Sequence, residues 1–259
     1  MPARAIWKGV LALGDDIELP VKLYSAVQDR TVHFRLLDSK DRQPVAQEMV
    51  EPETEEEVAA KEIRKGAEVE PGVFVLLKDD EVEKLEPPAS RIIQIERFLN
   101  AGEISHLWYE RPYYLGPDEG GDREYWDFVE ALERTEKEGV ARWVMRKRRY
   151  LGSLKAIDGF LMLITLRFAD EVITAEDLTP PPGRDLDAKE VTMARRLVEA
   201  MAGEFDPGEF HDEFRARVLE LIEAKKKGKK IRARKPERKP RPESLAGALQ
   251  ASLAAARKR

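Results

Sequence analysis

The sequence contains no cysteine, which excludes disulfides and thiolate metal sites. Its three histidines, His33, His106 and His211, lie far apart and offer little toward a structural zinc site. No run of about 18 apolar residues occurs, and the N-terminal MPARAIWKGV lacks the apolar core of a signal peptide. No G-x-x-x-x-G-K-[ST] or G-x-G-x-x-G phosphate loop is present, no H-E-x-x-H, and no serine stands in G-x-S-x-G. The usual warrants for nucleotide, metalloprotease and serine-hydrolase chemistry are therefore missing. Carboxylates are plentiful, so residue type leaves a metal-dependent nuclease open. Yet Glu55-Glu56-Glu57 and Asp79-Asp80-Glu81 read as N-terminal charges of short helices, where the helix dipole favours anions. The expectation is a soluble protein of the cell interior, without enzymatic activity, cofactor or membrane association.

What the sequence has in quantity is charge. Of its 259 residues 37% are charged and 42% hydrophobic, enough for a core beneath a large solvated surface. The net charge of −5 hides an asymmetry. Residues Lys225 to Arg259 hold 14 Lys/Arg against 2 Asp/Glu, a local charge of +12, whereas residues 1–224 hold 31 against 48, or −17. A basic tail on an acidic body points to a polyanion or an acidic partner surface for that tail, or to a solvated, disordered tail.

Hydrophobic alternation predicts strands over Ala5–Leu13, Ile17–Tyr24 and Val32–Leu36, forming a meander, with an edge at Pro20, which has no N–H to donate. Further strands are predicted over Arg91–Phe98, Arg111–Leu115, Val140–Met145, Tyr150–Ile157 and Phe160–Phe168. The Asp158-Gly159 pair is the strongest hairpin signal, and FLMLITLRF reads as a strand covered on both faces. Between the third and fourth strands lies a densely charged stretch, Asp38 to Glu86, too long for an ordinary loop. Within it Thr54 and Glu57 fit a capping box for a helix to about Lys65, ended by Gly66. Pro71-Gly72 is a turn, Val73–Leu77 a strand, and Asp80 a cap for a short helix through Leu85. A helix is expected from Asp122 to about Glu138, ended by Gly139, with Trp126, Val129 and Leu132 as its buried stripe. After the Pro180–Gly183 break the chain turns helical. Asp187 with Glu190 caps one helix, and Asp206-Pro207-Gly208-Glu209 starts another carrying Phe210, Phe214, Val218, Leu221 and Ile222. A last helix is expected from Ser244. Strands followed by helices make the class α+β, or a β-barrel with helical additions.

The basic clusters are the main functional signal. Arg146, Lys147 and Arg148, with Arg149, lie between two strands and beside Trp143 and Tyr150. Lys40 and Arg42, then Lys61, Arg64 and Lys65, lie on the charged excursion. Lys225, Lys226, Lys227, Lys229 and Lys230 begin the tail. Each cluster alone reads as a solvated face; together they could track phosphates, because Lys and Arg release counterions from a duplex. Nothing matches a recognition helix or an RNA-stacking motif, so such binding would not depend on sequence.

Four motifs then coincide. ARAIWKGVLALG, IELPVKLYSA, RPYYLGPDEGG and FDPGEFHDEFRARVLELIEAK, in that order and spacing, resemble the bacterial Ku family, from residue 3 to about 228. The resemblance implies a Ku-type β-barrel over residues 1–180, with Asp38–Glu86 as an extended bridge insertion. It implies a helical arm over 181–224 for homodimerisation, through Phe210, Phe214, Val218 and Leu221, and a basic extension over 225–259. It also implies a ring that takes up double-stranded DNA ends in non-homologous end joining and recruits an ATP-dependent D-type DNA ligase, in the cytoplasm and associated with the nucleoid. The cationic residues named above are the expected DNA contacts. Many bacterial members carry Cys-x-x-Cys in the excursion, where Glu51 and Thr54 stand in this sequence. The acidic run Glu51–Glu57 is expected to face away from DNA.

Elementary lengths permit a ring. Twelve extended residues span roughly 40 Å, and half the circumference of a duplex is roughly 31 Å, so an out-and-back excursion can arch over it. Two-fold symmetry supplies the second half. The rival reading is a protein–protein interaction module on a related barrel, with no preference for DNA ends.

Overall fold

The computed structural model describes residues 4–14, 16–179, 187–228, 249–250 and 252–254. The chain divides into two units. One comprises Met1–Arg30 with Arg35–Leu178, the other Thr31–Phe34 with Thr179–Arg259.

The first unit is built on a closed seven-stranded barrel. β1 (Trp7–Leu13) and β2 (Ile17–Ser25) form a hairpin around Gly14. β3 (Lys65–Glu70) and β4 (Val73–Leu77) make a separate two-stranded ribbon, followed by the short helix α1 (Asp79–Glu83). The barrel resumes with β5 (Ile92–Asn100), β6 (Tyr109–Pro117), β7 (Lys137–Met145), β8 (Arg148–Ile157) and β9 (Phe160–Leu166). The order around it is β1-β2-β6-β9-β8-β7-β5. All neighbours are antiparallel except β1 and β5, whose parallel pairing (Val10↔Ile92 to Leu13↔Ile95) closes the circle. Leu11, Val21, Leu23, Ile93, Leu115, Leu154, Leu161 and Leu163 fill the interior with no exposure. The β-barrel α+β class expected from the sequence is what the structure shows.

Close backbone approach shapes the wall at Gly152, where an added Cβ would lie 2.6 Å from the Trp143 ring and 2.9 Å from the Ile164 carbonyl oxygen. The indole occupies the space a side chain would fill, and it stacks on Tyr150 at 5.3 Å. The Asp158-Gly159 hairpin forms as expected, with φ of 52° and 76°. β9 differs from its expected double cover. Its inward residues Leu161, Leu163 and Thr165 are buried, whereas Met162 and Ile164 on the other face are half-exposed. β2 pairs with β6 only from Val21 to Ser25. Pro20 falls where that ladder stops, and its carbonyl accepts from the Asp118 N–H. The strand predicted over Arg111–Leu115 is longer at both ends, because β9 pairs with it from Tyr109.

Helix α2 (Asp122–Thr135) packs on β7 and β8. It stops earlier than its composition predicts. Glu136 turns left-handed with φ 50°, and Lys137, Glu138 and Gly139 pair with Asn100, Leu99 and Phe98 of β5. Sheet pairing therefore claims Lys137 and Glu138, which the sequence assigned to the helix, and Gly139, which was expected to end it. The buried stripe is Tyr125, Val129 and Leu132, not Trp126, Val129 and Leu132. Tyr125 is fully buried and Trp126 is 46% exposed. An i, i+4, i+7 row keeps one helix face, and Trp126 stands about 100° away from it. The Tyr125 hydroxyl donates to the Leu115 carbonyl and accepts from the Leu161 N–H, tying α2 to β6 and β9.

The charged excursion is ordered differently from its prediction. No strand forms over Val32–Leu36, and Phe34 is exposed. No helix follows Thr54 either. Two turns stand there, the second repeating the first 13 residues on. The Asp38 N–H donates to the Gln43 carbonyl, Arg42 to Asp38, and Val45 to Leu36. Likewise Glu51 donates to Glu56, Glu55 to Glu51, and Val58 to Met49. Bridges Leu37↔Pro44 and Val50↔Glu57 close the two turns, and Arg42 and Glu55 take the same left-handed conformation, φ 64° and 57°. Short polar side chains seal them. Asp38 accepts from the Lys40 N–H and Asp41 from the Gln43 N–H. Thr54 accepts from the Glu56 N–H and donates to Glu51. These Asx- and Thr-type bonds compete with helix, which is why the capping signal misled. Lys65 then opens β3, where the sequence expected a helix end. Asp80 does not cap α1; Glu81 reaches back to the Lys78 N–H instead.

The second unit holds α3 (Ala188–Ala200) and α4 (Glu213–Lys226). Asp187 caps α3 as expected, accepting from the Lys189 N–H. Asp206-Pro207-Gly208-Glu209 starts only a single 3₁₀ turn, and α4 begins at Glu213 under an Asp212 cap. Phe210 therefore precedes the helix and stacks on Phe205 at 5.6 Å. The strongly basic stretch after Gly228 and the start of the expected terminal helix lie outside the described residues.

Candidate nucleic-acid interface

The β7–β8 turn consists of Arg146 and Lys147 alone, since Met145 pairs with Arg148. A two-residue hairpin of the I′ type requires left-handed backbone at both positions, which glycine and asparagine supply at least cost. Arg146 and Lys147 hold it at φ 50° and 66° without either. The other two-residue turn of the barrel uses Asp-Gly. A left-handed conformation costs an L-residue roughly 1–2 kcal/mol. Retained strain of this kind concentrates where a side chain serves a function, and two exposed cations are what this turn presents.

A cleft of about 750 Å³ opens beside the turn. The start of β1, the segment before β5 and the end of β7 form it, and its cations are Lys8, Arg91, Arg146 and Lys147. Lys8 and Arg91 were not singled out by the sequence, because barrel closure, not proximity in the chain, brings them to Arg146. Across the same strands a second cleft of about 610 Å³ carries Arg142 and Arg149 beside Trp143 and Tyr150.

The cations differ in how far they are committed. Lys147 meets Glu86 at 2.9 Å, which ties the turn to the end of the excursion. That hydrogen bond raises the Lys147 pKa, so the charge persists across the physiological range. Lys8 and Lys22 share Asp118 at 3.0 and 2.6 Å. Hydrogen bonds from Lys22, the Glu119 N–H and Lys8 hold that carboxyl far below the usual range. Arg142 lies 3.8 Å from Glu96. Arg91, Arg146, Arg148 and Arg149 have no ion-pair partner among the described residues.

The cations of the excursion are more scattered. Lys40 and Arg42 project from the first turn. Arg64 folds back on the Lys61 and Ile63 carbonyls, and Lys65 pairs with Asp79 at 3.1 Å. Lys61 is exposed. At the end of α4, Lys226 and Lys227 lie 3.8 and 4.0 Å from Glu223, and Lys225 is exposed. Lys229 and Lys230 lie outside the described residues. Of the apolar residues expected at a dimer interface, Phe210 and Phe214 are exposed by 69% and 73%, Leu221 is exposed and Val218 half-buried. Among the described residues no group of three or more Asp, Glu or His side chains could hold a metal ion. No described helix is long and apolar enough to cross a membrane.

The family model for the Ku70/Ku80 β-barrel domain matches residues 13–195. The chain belongs to the Ku family. Ku relatives align over almost the whole chain. It is 36% identical over 256 residues to non-homologous end joining protein Ku 1 of Geotalea uraniireducens, covering 99% of this chain and 95% of that one. It is 37% identical over 245 residues to non-homologous end joining protein Ku of Coxiella burnetii, covering 93% and 89%. With the Ku protein of Pseudomonas aeruginosa the identity is 35% over 226 residues, covering 86% and 77%. The closed seven-stranded barrel is thus a Ku barrel.

Proposed function

We propose that this Ku protein binds the ends of double-stranded DNA without regard to sequence, as a ring-shaped homodimer, in non-homologous end joining. The observation that carries the reading is similarity along nearly the full chain to proteins named for that process. The site chemistry supports it. Cations gather at the β7–β8 turn, where Arg146, Lys147 and Arg148 are joined by Lys8 and Arg91, and positive side chains at fixed spacing bind phosphate without reading bases. Lys40, Arg42, Lys61, Arg64 and Lys65 add contacts from the excursion, and Lys225, Lys226, Lys227, Lys229 and Lys230 from the arm and its extension.

Exposed apolar surface supports the second copy. All five residues of β4, VFVLL, are exposed, with Phe74 at 61% and Leu76 at 69%. Patches of this kind mark interaction sites. In this reading Phe210, Phe214, Val218 and Leu221 embrace the partner, and the dimer acts as a binding protein that recruits a D-type DNA ligase, not as an enzyme. Encirclement also lets an acidic body hold DNA, because retention is topological once the inner wall is basic.

Purified protein binding linear duplex, and not covalently closed circular duplex of equal length, with a dimer mass in solution, is the expected result. Equal affinity for both forms, or a monomer without preference for ends, overturns the reading in favour of a protein-interaction module.

A further inference from the structure

We infer that the outer surface of the barrel carries a protein-docking groove, separate from the cationic clefts, that receives a basic extended segment of a partner protein. The groove has a volume of about 580 Å³ and runs between β2, β6 and the β8–β9 turn. Its walls are Tyr24, Tyr114, Pro117, Ile157 and Phe160, with Asp158 at the end. Phe160 continues to Trp126 of α2, whose ring stands edge-on to it at 5.7 Å. Tyr114, Trp126 and Phe160 are each between 41% and 47% exposed.

This surface follows from the fold. Tyr24 and Tyr114 are register partners on β2 and β6, so both rings lie on one face. Gly116 adds no side chain, and the Tyr24 ring lies over it, 3.2 Å from where a Cβ would stand. The barrel interior needs Tyr125 from α2, and helical geometry then swings Trp126 outward. Buried aromatic anchors dominate binding energy at protein interfaces. Rings bordering a shallow groove receive extended peptides, proline-containing ones especially.

Charge decides the occupant. From Asp118 to Glu136 the chain carries eight carboxylates and two arginines, and of the eight Asp118 is already shared by Lys8 and Lys22. Both arginines, Arg123 and Arg134, are already paired with Asp127 and Glu130 on the same helix. Asp158 lines the groove, Glu133 accepts from the Gly159 N–H at its β8–β9 end, and Glu119, Asp122 and Glu124 are exposed on the adjoining start of α2 and the loop before it. A polyanion is repelled from such a rim, whereas a cationic segment is attracted and oriented by it. The face therefore does not serve DNA, and its complement is a segment of Lys or Arg interspersed with proline or an aromatic anchor.

The test uses the full-length protein and a labelled peptide of roughly twelve residues, alternating arginine and proline around one tryptophan. Fluorescence anisotropy should show saturable binding. Trp126→Ser and Phe160→Ser should each weaken it about tenfold, the loss of one aromatic anchor. Glu119→Lys combined with Glu124→Lys, which disturbs no packing, should weaken it and flatten its salt dependence. The same peptide with glutamine for arginine should bind poorly, and linear duplex DNA, titrated without peptide, should lose no affinity in any variant. No saturable binding, binding unchanged across the variants, or a matching loss of duplex affinity in Trp126→Ser and Phe160→Ser would each overturn the inference.

Discussion

On the outward side of the barrel wall, the Glu138 carboxylate lies 2.8 Å from the Lys155 ammonium and is wholly shielded from solvent. The Ser153 and Tyr109 hydroxyls donate to the same Oε2, and the ammonium sits 4.4 Å from the centre of the Tyr109 ring. Three β-strands are cross-linked by this cluster.

Removing one partner strands the other. Glu138→Gln should destabilise the fold by about 1–3 kcal/mol, the cost of leaving the partly buried Lys155 ammonium without its carboxylate. The double variant Glu138→Gln with Lys155→Met should recover much of it, as read by urea unfolding. Burial pushes the Glu138 pKa up, but hydrogen bonds from Lys155, Ser153 and Tyr109 outweigh it and the net shift is downward. Its stabilisation is therefore complete above the ordinary glutamate range and is lost as pH falls through the depressed value. Burial pushes Lys155 down, but its bonds to Glu138 and Tyr109 outweigh that and raise its pKa. Its share is present below the ordinary lysine range and is lost only as pH rises through the raised value. The acid limb of the wild-type pH–stability profile should flatten in the double variant.

Gly152→Ala forces a methyl group to within 2.6 Å of Trp143, and the indole cannot retreat past Tyr150. Overpacking of this kind costs about 1–3 kcal/mol. Thermal unfolding should shift down, with a loss of near-ultraviolet circular dichroism from the disrupted stack.

Replacing the left-handed pair by Arg146→Asn and Lys147→Gly separates stability from binding. The hairpin should become more stable by about 1 kcal/mol, because the new residues suit the turn. Under the proposed function, affinity for linear duplex should nevertheless fall. The salt slope should drop by about 1, the share of one phosphate contact, since Lys147 is held by Glu86. A gain in stability without loss of affinity would remove this turn from the interface.

Phe214→Asp places a charge on an exposed apolar residue of the arm, where nothing in the single chain needs the ring. The melting temperature of the barrel should stay within a degree or two, while the solution mass should fall from dimer to monomer. A dimer that persists with full affinity would place the two-fold contact elsewhere.

The sequence was most legible where signals are local. Alternation located the barrel strands, Asp158-Gly159 its hairpin, and Asp187 the start of α3. It misled where two local options compete and a distant partner decides. Lys137 and Glu138 would have continued α2, but β5 offered hydrogen bonds. Val32–Leu36 alternates like a strand and forms none. Thr54 caps a turn as readily as a helix. Trp126 and Tyr125 are adjacent apolar residues, and only the position of β6 and β9 selects which ring goes inside.

The same division holds for the candidate site. Residue order and motif spacing alone were enough to give family membership, the charged excursion and the clustering of Arg146, Lys147 and Arg148, because these are properties of contiguous chain. Which other cations join them was settled only when β1 paired with β5. That parallel ladder joins residues about 80 positions apart and carries Lys8 and Arg91 to the β7–β8 turn. The outward face of α2 was settled in the same way. Backbone hydrogen bonds and core packing choose partners by complementarity in space, and no short stretch of sequence contains both members of such a pair.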